Sequence, residues 1–161
     1  MGKEELAIDY VEKHASNLSA VAKEMWSEPE LGLQEFHAAA LLAKELEKAG
    51  FQIEMGVGEM STAFVAKWGK GRPYIGILAE YDALPGISQK VSAVREPVQE
   101  GAPGHGCGHN LFGAGSLGAA LAVKTVMEQE HIPGTIIFYG CPAEEPVTGK
   151  VFMAPAGVFD E

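Results

Sequence analysis

The chain has 161 residues, 47% of them hydrophobic and 21% charged, which suits one soluble globular domain with a sizeable core. Its net charge of −10 argues against a nucleic-acid groove and against binding to an anionic membrane surface, and no run of about 18 apolar residues predicts a transmembrane helix. With only Cys107 and Cys141 and an acidic N-terminus lacking a signal-peptide core, reduced thiols in a cytoplasm are expected, a single Cys107–Cys141 bridge being the other option.

Apolar residues at three- and four-residue steps (Leu6, Tyr10, Val11, Leu18, Val21, Ala22, Met25) predict a helix from Lys3 to Trp26. His14 lies near its apolar face and reads as a packed or half-exposed histidine. Ser27-Glu28-Pro29-Glu30 breaks the helix. A second helix is expected from Gln34 to Ala49, with His37 on the surface of its first turn and Gly50 as its stop. Phe51 to Val57 and Thr62 to Trp68 have strand character. Tyr74 to Ala79 is a short apolar run between turn signals, which predicts a buried central strand. It runs into Glu80-Tyr81-Asp82, two carboxylates where α/β sheets gather ligands.

Residues 83–103 form a proline- and glycine-bearing loop of a length that compact domains reserve for function or disorder. It leads into Gly104-His105-Gly106-Cys107-Gly108-His109-Asn110, whose glycines exclude regular structure. Asn110 is expected to cap a helix from Leu111 to Gln129. That helix carries a flank of small residues, each glycine lowering helicity by roughly 1 kcal/mol. A strand follows from Thr135 to Gly140, then Pro142-Ala143-Glu144-Glu145-Pro146. A further helix starts within Thr148 to Gly157. The order helix, helix, strands, then βαβ predicts an α/β layered sheet with flanking helices.

Only Gly108 separates Cys107 from His109, so one thiolate and one imidazole can reach the same ion, a ligand set for zinc or a similar metal. The start of the following helix favours the thiolate. Glu144-Glu145, bracketed by prolines after an apolar strand, can divide the work of binding an ion and accepting a proton from water. Gly113-Ala114-Gly115-Ser116-Leu117-Gly118 matches G-x-G-x-x-G, but no apolar strand precedes it, so small residues for helix packing are the better reading than a dinucleotide site.

Four motifs occur in order: Pro29-Glu30-Leu31-Gly32 with Glu35, Asp82-Ala83-Leu84-Pro85, Gly104 to Asn110, and Pro142-Ala143-Glu144-Glu145. Together they resemble the amidohydrolases of the aminoacylase and carboxypeptidase G superfamily, in the branch of hippurate and auxin-conjugate hydrolases. The nearest type is that of the aminobenzoyl-glutamate hydrolase B subunits, which carry Gly-Cys-Gly-His-Asn where most relatives have Cys-Gly-His-Asp-x-His. The resemblance implies the N-terminal part of a zinc-peptidase-like catalytic domain over residues 1–161. It implies two divalent ions, zinc or manganese, and hydrolysis of the amide bond of an N-acyl or N-aroyl amino acid. By motif, Cys107, His109 and Glu145 are metal ligands, Glu144 is the general base, and Asp82 orients the site from behind. His105 is close by but not assigned as a ligand.

Full-length relatives in this family are homodimers more than twice as long. They bring histidine ligands from beyond the glutamate pair, whereas the last histidine here is His131. The lid or dimerisation domain has no counterpart, and Pro146-Val147-Thr148 replaces the usual glycine-rich run. These departures set the alternative: a truncated, non-catalytic chain that binds metal weakly or only packs against a partner.

Overall fold

The computed structural model describes residues 2–160. In chain order its elements are α1 (Lys3–Ser27), α2 (Phe36–Lys48), β1 (Gln52–Met55), β2 (Phe64–Lys70), β3 (Tyr74–Ala79), α3 (His109–Gln129), β4 (Gly134–Gly140), α4 (Glu144–Val147) and α5 (Lys150–Met153), with a 3-10 turn at Val57–Glu59. The strands form one sheet in the order β1-β2-β4-β3, with β3 and β4 parallel and the other pairs antiparallel.

α1 keeps acidic Glu4 and Glu5 in its first turn, where the helix dipole favours them. Only its C-terminal half is buried, through Val21, Ala22 and Met25. Pro29 then turns the chain, and the Glu30 carboxylate accepts hydrogen bonds from the His37 and Ala38 N–H groups at 3.0 and 2.9 Å. Glu30 thereby caps α2 from outside it, satisfying two donors that a helix start leaves free. Gly50 follows the C-cap with φ of 88°, and Phe51 N–H returns to Leu46 O, as expected of a glycine stop. His14 stacks on Tyr10 on the exposed face of α1, and His37 faces Glu24 from the start of α2.

One side of the sheet carries the main core: Met25, Leu42, Leu46, Leu117, Ile136 and the stacked rings of Phe64 and Phe138. The other side carries a smaller cluster around Val65, Ile137, Tyr139, Cys141 and Met153. The glycine-rich flank of α3 lets α1 and the end of β3 approach it. A Cβ on Gly118 would stand 2.9 Å from Leu18 Cδ1, and one on Gly113 would stand 3.1 Å from Glu80 O. α3 is long and apolar enough to cross a membrane by length and composition, contrary to the expectation from the sequence, but 61% of that window is buried in the core.

Three further expectations differ from the structure. β1 and β2 begin later than predicted, because Phe51 is taken up by the α2 stop and residues 56–63 by the turn between the strands. The buried central strand is β4, buried at all seven positions, whereas β3 is an edge strand exposed at most of its length. Among the described residues nothing pairs with its outer edge, so apolar composition alone did not bury it. The third concerns α3, which starts at His109 behind Gly108, a residue with φ of 92°. Asn110 is already helical, and its side chain donates instead to Ala22 O on α1 at 3.1 Å. Cys107 and Cys141 are both free, the first exposed and the second buried, so there is no bridge between them.

Candidate metal centre

β3 and β4 are parallel neighbours joined through α3, so their carboxyl ends and the start of α3 meet at one edge of the sheet. β3 delivers Glu80 and Asp82, α3 begins with His109, and β4 delivers Glu144 and Glu145. Between them runs a long loop held by its own bonds. Leu84 and Gly104 form an isolated antiparallel bridge, and the Gln89 side chain spans Val94 O and the Glu96 N–H. Cys107 stands at the end of this loop.

A sulfur of Cys107, a ring nitrogen of His109 and a carboxylate oxygen of Glu145 lie within 4.8 Å of one another. A second group, sharing His109, joins Glu80 and Glu144 under the same limit. His109 Nδ1 meets Asp82 Oδ1 at 2.8 Å, which leaves Nε2 for the cluster, 3.1 Å from Glu80 Oε2 and 3.9 Å from Glu144 Oε2. The other Asp82 oxygen accepts the Glu145 N–H at 2.9 Å. One buried carboxylate therefore fixes the ring of His109 and the backbone of Glu145 together, the usual arrangement behind a metal-binding imidazole.

The glutamate pair sits on a strained turn. Ala143 has φ of 53°, in the left-handed region, before the short α4. What holds it there is Glu35, fully buried, whose Oε1 accepts the Ala143 N–H at 2.6 Å while Oε2 accepts the Thr62 hydroxyl at 2.9 Å. Gly32 is pressed against the same turn: a Cβ there would lie 2.5 Å from Pro146 Cγ and 3.0 Å from Ala143 Cα. The Pro29 to Gly32 motif with Glu35 thus cradles the turn that presents Glu144 and Glu145.

The charges around the cluster shift its members. Burial pushes Asp82 up, but the hydrogen bonds from His109 and the Glu145 N–H outweigh it and hold the carboxyl below its ordinary value. His109 is raised, first by the Asp82 hydrogen bond and then, against burial, by the surrounding carboxylates. Cys107 is raised by its hydrogen bond to Glu145, with burial and the charges of Glu145, Glu144 and Glu80 adding to it. The expected thiolate at a helix start is therefore reversed without a cation, because three carboxylates face the sulfur. A divalent cation inverts that balance and deprotonates a coordinating thiol. Glu145 Oε1 is buried without a hydrogen-bond partner, an acceptor left for such an ion. The donor set, one sulfur, one nitrogen and carboxylate oxygens, fits a divalent transition-metal ion.

The structure brings Cys107, His109, Glu144, Glu145 and Asp82 together, while His105 points away, its Nε2 3.1 Å from Met25 O. Two participants were missed as site residues. Glu80 was noted only as a strand-end carboxylate, yet it faces His109. Lys150, on α5, is ion-paired with Glu80. The two-residue spacing of Glu80 and Asp82 after a strand was the available signal for the first; nothing local in the sequence marks the second.

Residues 76–161 match the family model for peptidase family M20/M25/M40. The chain is 45% identical over 154 residues to one of the subunits of the p-aminobenzoyl-glutamate hydrolase of Escherichia coli, covering 95% of this chain and 32% of that protein. It is 33% identical over 165 residues to the human Xaa-Arg dipeptidase, covering 92% of this chain and 34% of the relative. Among solved structures it is similar to a dinuclear metal-binding peptidase of the M20 family from Bacillus subtilis. That likeness has a TM-score of 0.77 and 26% identity, and covers 92% of this chain and 41% of the other. The chain thus spans about a third of the length of the curated relatives it matches.

Proposed function

The chain belongs to peptidase family M20/M25/M40, and from that premise we propose that it carries part of the catalytic machinery of a metal-dependent amidohydrolase acting on N-acyl or N-aroyl amino acids. The observation that carries this reading is the convergence of Cys107, His109 and Glu145 within 4.8 Å, with Glu144 against the same imidazole. The likeness to a p-aminobenzoyl-glutamate hydrolase supports an aroyl-glutamate as substrate.

In this reading Cys107, His109 Nε2 and Glu145 would hold divalent cations, zinc or manganese, of a two-ion site. Such cations supply Lewis acidity, polarising the scissile carbonyl and lowering the pKa of water. Glu144 is partly exposed at the cluster, where its carboxylate takes a proton from the attacking water and returns it to the leaving amine. Asp82 keeps the His109 ring turned so that Nε2 faces Glu80 and Glu144, where it would be free to bind a cation. Glu35 holds Ala143, and through it the direction of both glutamates.

The test is Glu144→Gln in the metal-loaded protein, assayed on an aroyl-glutamate. Turnover is expected to fall by about 10²- to 10⁴-fold, with metal content unchanged. An unaltered rate would remove Glu144 from the role of base.

A second reading has its own observation. β3 presents Tyr74, Ile75 and Leu78 at 38, 49 and 41% exposure along an edge that no described strand covers. Such an edge suits a chain whose role is to pair with a partner strand. Concentration-dependent association abolished by Ile75→Lys, in a chain that takes up no metal, would favour it.

A further inference from the structure

His109 is the member common to two donor groups. Cys107 and Glu145 form the first with it, and Glu80 and Glu144 the second, each group having its donor atoms within 4.8 Å of one another. The reading above takes its ligands from the first group and gives Glu80 no part. Yet Glu80 is built into the site. Its side chain is only 15% exposed, and Lys150 on α5 engages Oε1. That leaves Oε2 facing His109 Nε2 at 3.1 Å. Two donors about 2.1 Å from one ion stand about 3.0 Å apart at a right angle and about 3.4 Å apart at the tetrahedral angle. The Glu80 oxygen and the imidazole nitrogen already have that spacing. Glu144 Oε2 stands further out, 3.9 Å from Nε2, on a side chain 35% exposed and so free to close the difference.

The two groups differ in chemistry. Sulfur, nitrogen and one carboxylate suit zinc, whereas nitrogen with two carboxylates suits a harder ion such as manganese. They exclude each other, because Asp82 occupies Nδ1 at 2.8 Å and the Nε2 that both groups need has a single lone pair.

We propose that Glu80 is a metal ligand, and that Glu80, His109 and Glu144 form a second, harder cation site that competes with the Cys107 site for one imidazole. Lys150 is its positioning residue, holding Oε1 so that Oε2 stays on the cluster. This rests on the metal centre of the reading above but not on the reaction. By itself the chain then holds one ion at a time. Zinc in the Cys107 site leaves Glu144 free to act as base, and manganese in the Glu80 site takes Glu144 as a ligand.

Manganese binding to the 161-residue chain can be followed by the paramagnetic resonance of the free ion, and zinc by its competition with manganese. Glu80→Gln, which keeps the shape and removes the charge, should weaken manganese by about tenfold or more and leave zinc unchanged. Cys107→Ser should do the reverse. In the parent, zinc should displace manganese one for one. Lys150→Arg, which keeps the ion pair, should bind manganese as the parent does. Lys150→Met, which keeps the carboxylate and loses the pair, should weaken manganese less than Glu80→Gln. An equal loss in Lys150→Met and Glu80→Gln would reduce Glu80 to half of a structural ion pair and overturn the ligand role. Manganese and zinc held together on one chain would overturn the competition. Zinc bound through Cys107 with manganese indifferent to Glu80→Gln defeats this proposal alone; uptake of neither ion by the folded parent defeats the metal centre with it.

Discussion

Asp82 and Glu35 are both carboxylates removed from water, one after β3 and one before α2, and both end on the turn that carries Glu144 and Glu145. They titrate in opposite senses. Asp82 has His109 beside it and stays below its ordinary value, whereas Glu35 has only neutral donors, and burial raises it despite the Ala143 and Thr62 hydrogen bonds. A buried charge that meets an imidazole gains stability from being ionised; one that meets only N–H and O–H groups is retained for the geometry it enforces. The first is tied to the imidazole of the cluster and the second to the turn that presents the glutamates.

That contrast fails if the two residues respond alike to substitution. The largest effect should come from Asp82→Ala, which leaves the His109 ring and the Glu145 N–H without their acceptor. Loss of about 3–5 kcal/mol is expected in urea unfolding, with metal affinity in the surviving fold lower by about 10- to 100-fold. Glu35→Ala should cost less, about 1–3 kcal/mol per orphaned donor, and should act on metal affinity only through the position of the turn.

Glu35→Gln sharpens the comparison further, because it keeps an acceptor for the Ala143 N–H and removes the charge. A carboxyl raised in the folded state binds its proton more tightly there than when unfolded. The parent should therefore lose stability as pH rises from about 4.3, the unfolded value, through the raised folded value. Glu35→Gln should lack that slope. Asp82 gives the opposite sign: its contribution is present above about 3.9 and is lost as pH falls through the lowered folded value. Unfolding free energies of parent and Glu35→Gln across mildly acidic pH would show it; identical slopes would contradict the contrast. The smallest of these effects, about 1–3 kcal/mol, is expected from Gly32→Ala, whose added methyl meets Pro146 and Ala143. A thermal midpoint equal to that of the parent would mean that the turn is not held from this side.

Much of the cluster was legible because its residues come in short motifs at strand ends. Cys107 and His109 flank one glycine, and the glutamate pair follows an apolar strand. The helices were legible too, from three- and four-residue apolar steps. The parts that were not legible depend on contacts far apart in sequence. Asn110 has the composition of a cap, but Ala22 O claims its side chain from α1. Glu35 was visible only as part of a motif, since its partner Ala143 lies 108 residues away. The apolar run of β3 gave no sign that β4 would take the central place, because strand order is set by how the βαβ unit and the hairpin of β1 and β2 assemble. Glu80 and Lys150 find each other across 70 residues.

The most direct measurement is the metal content of the purified chain, compared with the double variant Cys107→Ala/His109→Ala after equal exposure to zinc or manganese. A divalent ion should be retained by the parent and lost from the variant, with both proteins folded. Equal metal in the two, or none in either, would contradict a metal centre built on Cys107, His109 and Glu145.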